Sequence, residues 1–186
     1  LNSFGNGSYR IEERVDASVG WNSDSSKKFS YSFSAGLRDE NLGGDTYTGS
    51  TSFSWRPSDR FGLNLHVGYQ DRDGWLLHQE GENFTTFKAE QWAPKFSVDY
   101  FISARQQFRI SLQWIGIKAV EDEFYLIPAE PGDLIPTDKP PGRPDDFSVS
   151  QISLQVRYRW EIAPLSDIFV VYTRFSDKSV ALGTSD

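Results

Sequence analysis

His66 and His78 are the only histidines in the chain, and there is no cysteine. Acid–base or nucleophilic chemistry would therefore rest on two imidazoles with serine and carboxylate partners. His66 stands mid-way along an alternating segment, on its polar side, and His78 stands in a stretch that reads as loop. A Ser-His-acid relay needs three side chains to converge, which spacing alone does not supply, and no nucleophile motif accompanies either histidine. A hydrolase is thus the weaker alternative. The acidic runs Glu121-Asp122-Glu123 and Asp145-Asp146 offer hard oxygen ligands of the kind Ca²⁺ takes. They lack the spacing of a calcium loop and read as solvated acidic loop. The expectation is no catalytic residue, no metal and no cofactor.

Other charged residues sit inside regular alternation. Arg10, Glu12, Arg14 and Asp16 alternate with apolar neighbours, as do Arg157 and Arg159 near the other end. In a barrel they would share the inner face with His66, Gln113 and Gln155, either as a salt-bridge network or as a lining that selects solutes. Alternating signs neutralise one another, which favours the network. Trp75 could stack on a sugar ring or anchor at a membrane interface. Gly5-Asn6-Gly7 reads as a turn or bulge.

The elements that carry these residues have a period of two. Ile152, Leu154, Val156, Tyr158 and Trp160 oppose Gln151, Ser153, Gln155, Arg157 and Arg159, so one face is apolar and the other polar. The same contrast recurs in Phe29–Leu37, Phe61–Tyr69 and Phe108–Trp114. About eight strands are expected, over 8–21, 29–38, 46–56, 61–71, 86–101, 108–118, 147–161 and 168–175. Most exceed the usual soluble strand and match the roughly 9–11 residues that cross a bilayer. Pro94 predicts a bulge or bend in the fifth.

Connections alternate between short turns and long loops, as in outer-membrane barrels. The pairs Trp21/Phe29, Trp55/Phe61, Phe101/Phe108 and Trp160/Phe169 bracket the four short turns and are expected to form an interfacial aromatic girdle. Loops 39–45, 71–85 and 118–146 carry 15 acidic and four basic residues, against a net charge of −7 for the whole chain, so the acidity lies at one pole. The long loop over about 119–146 holds six of the nine prolines, which keeps it out of any ladder as a lid or a plain connector.

Periodicity does not say which face meets solvent. A soluble barrel binding an apolar ligand would bury the apolar face, and a membrane barrel would expose it to lipid. Long strands, loop asymmetry and a polar face of Ser, Gly, Thr, Gln and Arg favour the membrane barrel. Aromatics at 15% argue against disorder, and the acidic balance argues against nucleic acid as partner. The absence of methionine implies a removed leader or an excised segment.

The segment Gln155–Arg174, with Arg159-Trp160-Glu161, the Pro-Leu-Ser-Asp turn at 164–167 and the strand Ile168–Thr173, resembles the C-terminal β-barrel region of a Gram-negative outer-membrane family with no assigned activity. Members of that family usually carry an N-terminal domain similar to family-9 carbohydrate-binding modules. That domain is absent here, and the chain ends in the polar stretch Gly183-Thr184-Ser185-Asp186 where such barrels finish on an aromatic strand. The resemblance implies localisation in the bacterial outer membrane. Its lipid becomes a partner, together with a glycan or another outer-membrane protein. Together the readings predict an all-β, antiparallel, up-and-down transmembrane β-barrel segment over residues 1–186. It would be part of a larger barrel, non-catalytic, and serve passage, assembly or surface binding of glycan-like material. Its first and last strands are not expected to pair.

Overall fold

The computed structural model describes residues 8–11, 13–142 and 145–182. They form one antiparallel sheet of nine strands, with no helix among the described residues. The strands are β1 (Asp16–Asn22), β2 (Phe29–Asp39), β3 (Asp45–Ser58), β4 (Phe61–His78), β5 (Asn83–Ser103), β6 (Gln106–Leu126), β7 (Ile135–Thr137), β8 (Phe147–Ala163) and β9 (Ser166–Ala181). Their order is β1-β2-β3-β4-β5-β6-β8-β9, and β7, inside the Pro-rich loop expected to stay out of any ladder, is laid on the far end of β6 as a short edge strand, where a proline is tolerated. The sheet is not closed: β1 pairs only with β2 and β9 only with β8. The first and last strands therefore stay apart, as the sequence led us to expect.

Several boundaries differ from expectation. The first strand begins at Asp16 rather than residue 8, and Tyr9 instead makes an isolated parallel bridge to Gly132 in the long loop. β4 and β6 run far past their expected ends, β5 begins three residues early, and the loop expected over 71–85 shrinks to residues 79–82. His78 is consequently the last residue of β4, where its Nε2 and the Gly81 carbonyl lie 2.8 Å apart. The alternation hid this extension because register shifts interrupt it, between Arg72 and Trp75 on β4 and between Thr85 and Phe87 on β5. A bulge adds a residue and resets which side chains face which way. Pro94, by contrast, makes no bulge. It keeps Val67 as its partner, and the β5–β6 register is the same at Trp92 and at Lys95.

The buried core lies in the extension. On one face Phe87, Ala89 and Ala119 pack with Trp75, Leu77 and Phe147. On the opposite face of the same hairpins Phe84, Tyr125, Ile127 and Leu134 pack with Tyr9, Leu42 and Leu76. Loop 40–44 locks onto this region by a close backbone approach. Gly43, Gly44 and Gly74 all have positive φ, and a Cβ on Gly74 would sit 2.4 Å from the Gly43 carbonyl oxygen. Only glycine fits such a contact without displacing backbone.

Candidate functional site

Below the extension each strand has a polar and an apolar face. A cavity of about 640 Å³ is lined by side chains from five strands in a row, among them Ser32, Ser52, His66, Ser97 and Gln113. One cavity can reach residues so far apart across a sheet only if the sheet curls toward them. The polar face is therefore concave, and the apolar face convex.

The trough is built by direct cross-strand pairing, because Cα partners in an antiparallel ladder point to the same side. Ser32, Ser52, His66, Lys95, Gln113 and Ser153 follow one another across six strands. Ser30, Ser54, Asn64, Ser97, Ser111 and Gln155 form the neighbouring row. Ser34 and Ser50 hydroxyls lie 2.8 Å apart, and Ser52 Oγ lies 2.8 Å from His66 Nδ1. This Ser–His pair is the nearest approach to a catalytic arrangement. Among the described residues no carboxylate bonds to the His66 ring, and Lys95 stands beside it on β5. A serine nucleophile needs a base oriented by a third group.

Nearer the short turns the trough becomes charged. Asp99, Arg109 and Arg157 are successive partners on β5, β6 and β8, and Gln107 pairs with Arg159 one step lower. Arg109 donates to Asp99 at 2.6 Å, as does Gln107 at 3.1 Å. Arg159 donates through Nε and a terminal nitrogen to both oxygens of Asp167, at 2.9 and 3.1 Å. Of the eight residues expected to line an interior, His66, Gln113, Gln155, Arg157 and Arg159 lie on this concave face. Arg10 does not: it is exposed beside Asp133 in the long loop, with its N–H on the Gly132 carbonyl. Arg14 precedes β1 and faces Glu40 of loop 40–44 at 3.9 Å. Both depart from the trough because β1 starts later than the alternation implied. Glu12 and Gly5-Asn6-Gly7 lie outside the described residues.

The convex face carries aromatics near every short turn, but not the full expected set. Trp21, Phe29, Trp55, Phe61, Phe108 and Trp160 are convex. Trp55 and Phe61 meet edge to face at 5.7 Å, and Phe29 meets Phe53 at 4.5 Å. Phe101 and Phe169 are on the concave side, as partners of Gln107 and Arg159. Proximity to a turn is not facing; parity decides it, and Tyr100 takes the convex place beside Phe108. Tyr31, Phe33 and Leu65 are exposed, and none of the convex apolar residues nearer the short turns belongs to the buried core. Arg72 lies 4.5 Å over the Trp75 ring, and Phe147 packs against that ring edge to face.

The acidic runs are occupied internally. Glu121 accepts from Lys139 and, at 2.9 Å, from the Asp145 N–H, while Asp146 accepts from the Glu121 N–H at 2.7 Å. Lys88 donates to Asp122 at 3.0 Å. Burial pushes Glu121 toward protonation, but its bonds to Lys139 and Asp145 win and hold its carboxyl below the usual range. Burial first, then the Glu121 charge, raise that of Asp145.

No curated protein and no solved structure matches the chain. A family model described as Domain of unknown function (DUF5916) matches residues 4–182, and the protein belongs to that family.

Proposed function

We propose that the chain is a non-catalytic wall segment of an outer-membrane β-barrel, with lipid on the convex face and an aqueous path or binding surface along the concave trough. The observation that carries this reading is a switch of polarity after the same length on four adjacent strands. On β4 the convex residues are Phe61, Leu63, Leu65, Val67 and Tyr69, then Asp71; on β5 Tyr100, Val98, Phe96, Pro94 and Trp92, then Glu90. On β6 Phe108, Ile110, Leu112, Trp114 and Gly116 precede Lys118, and on β8 Trp160 to Ile152 precede Ser150. Each apolar run spans nine residues, within the roughly 9–11 that a tilted strand needs to cross a bilayer. Beyond it the concave face changes the opposite way, from Gly62, Asn64 and His66 to Trp75 and Leu77, and from Ser97 and Lys95 to Ala89 and Phe87. A strand leaving lipid for water must exchange an apolar outside for an apolar inside, and this pattern does so.

Glycan-like or other polar solutes suit a trough of hydroxyls and amides, and sugars are the class we assign to it. The test is extraction and gel migration of the protein expressed with a secretory leader. It should stay with outer membranes until detergent is added and migrate faster unheated than boiled. Recovery in the aqueous fraction without detergent would overturn the reading in favour of a soluble barrel.

A further inference from the structure

Arg157 is a guanidinium with no acid beside it. Its partner on β6 is Arg109, its partner on β9 is Val171, and its same-face neighbours along β8 are Gln155 and Arg159. Arg109 is neutralised by Asp99 and Arg159 by Asp167, but no ion pair or hydrogen bond joins the Arg157 side chain to any described residue. Like charges placed directly opposite on a ladder destabilise it; Asp99 offsets Arg109, and the Arg157 charge is left without such an offset. The space for an anion is present: a cavity of about 260 Å³ is lined by Gln107, Arg109, Arg157, Arg159, Asp167 and Phe169. A larger cavity of about 570 Å³ joins it through Gln107 and Arg109 and adds Lys27, Lys28 and Arg56 against Asp59 and Asp99. Cations outnumber carboxylates in both. The acid-rich pole of the chain lies at the other end of the strands.

We propose that Arg157 is the centre of an oxyanion subsite at the short-turn end of the trough, receiving a phosphate group. The planar guanidinium offers paired N–H donors that match two oxygens of phosphate. Gln107 holds its amide toward Asp99, which leaves Arg157 as the principal free donor, while Arg109 and Arg159, each tied to its aspartate, contribute field. Phe169 and Val171 border the site on the β9 side, and both are exposed, so the subsite is open to solvent. The subsite rests on the reading of the concave face as an aqueous path, and it adds a phosphate-binding end to the polar trough.

The test is calorimetric binding of inorganic phosphate to the detergent-solubilised full chain, with chloride at equal ionic strength as reference. Wild type should bind phosphate over chloride and gain thermal stability from it. Arg157→Gln should weaken phosphate binding by about tenfold or more, and Arg157→Lys should restore it only in part, since lysine keeps the charge but loses the fork. Lys28→Gln, at the rim, should change it by less than about threefold. Wild type binding phosphate no better than chloride, or Arg157→Gln binding as wild type with an intact β-sheet spectrum, would overturn the proposal. Aqueous extraction without detergent would instead sink the membrane reading while leaving the phosphate result to stand on its own.

Discussion

The two ends of β4, β5 and β6 are made from the same alternating sequence, yet they are built inside out relative to one another. Toward the short turns the strands show rings and aliphatics on the convex side and hydroxyls, amides and charges on the concave side. Toward the extension Phe87, Ala89 and Ala119 are buried on the concave side while Lys88, Glu90 and Lys118 stand outside, and only at the far tip are convex residues, Phe84 and Tyr125, buried under Tyr9 and Leu42. In the extension apolar burial supplies the stability, as in any water-soluble domain. Nearer the turns the apolar residues are exposed or only half-buried, so that half takes its stability from the ladder and from whatever covers the convex face. Solvent-facing polarity therefore belongs to a height on the strand, not to the strand.

Substitutions can break this comparison. The largest effect is expected at Phe87, the fully buried ring of the concave core, which meets Phe147 at 5.5 Å. Phe87→Ala should cost about 3–5 kcal/mol of the extension's stability. Proteolysis at 79–82 and in the long loop reads that loss directly, and cleavage no faster than wild type would remove the claim that the extension has a core of its own.

Next comes the contrast between faces. Leu65→Arg places a charge mid-way along the convex apolar run and should cost about 2–4 kcal/mol in bilayers. Glu90→Arg, beyond the run on the same face, should stay within about 0.5 kcal/mol. Reversible unfolding in lipid vesicles distinguishes them, and equal costs at both sites would mean that the convex face does not meet hydrocarbon.

A smaller effect tests how the extension is tied to loop 40–44. Gly74→Ala combines positive φ with a Cβ 2.4 Å from the Gly43 carbonyl and should cost about 2–3 kcal/mol. Gly81→Ala shares the positive φ but meets open space, so it should cost about 1 kcal/mol. Thermal melts of the two variants compare them.

The smallest concerns acid. Glu121 has its folded-state pKa depressed, so its contribution is present above the ordinary carboxylate range and fades as pH falls through the lowered value. Asp145 is raised, so its own cost is relieved as pH falls through its higher value, in the opposite direction. The long loop should therefore hold steady in mild acid and loosen only below the ordinary Glu range, by less than about 1 kcal/mol. Hydrogen exchange at the Asp145 amide follows this, and Glu121→Gln should abolish the loosening below the ordinary Glu range.

Much of the sheet was legible because β2, β3 and β8 alternate without interruption from turn to turn. Their expected bounds, 29–38, 46–56 and 147–161, fall within two residues of those observed. The extension was not legible, since a bulge and an inversion of facing look like loss of pattern to a reader following one apolar face. Trp75-Leu76-Leu77 and Phe124-Tyr125-Leu126 were the signal, apolar triplets inside acidic stretches. The trough was half legible: alternation found His66, Gln113, Gln155, Arg157 and Arg159, but the Ser52–His66 bond depends on pairing register. Arg10 and Arg14 were misplaced because alternation over 9–15 continues in sequence where pairing has not yet begun.

The neighbour-to-neighbour order of the strands bears on how the sheet comes to exist. Every pairing among the eight long strands except β6–β8 joins consecutive segments through a turn of two to six residues. The exception spans residues 127–146, and β7 within it docks back on β6, shortening the effective excursion. Entropy of loop closure grows only as the logarithm of length, by about 0.6 kcal/mol per doubling, so even that step is cheap. Each long strand's partner is the neighbouring long strand in sequence, so no distant segment has to wait for another. The chain can be laid down hairpin by hairpin onto whichever edge is already ordered, β1 or β9 serving in turn as primer. The rate of assembly would then follow how fast successive hairpins arrive rather than a search for one global arrangement.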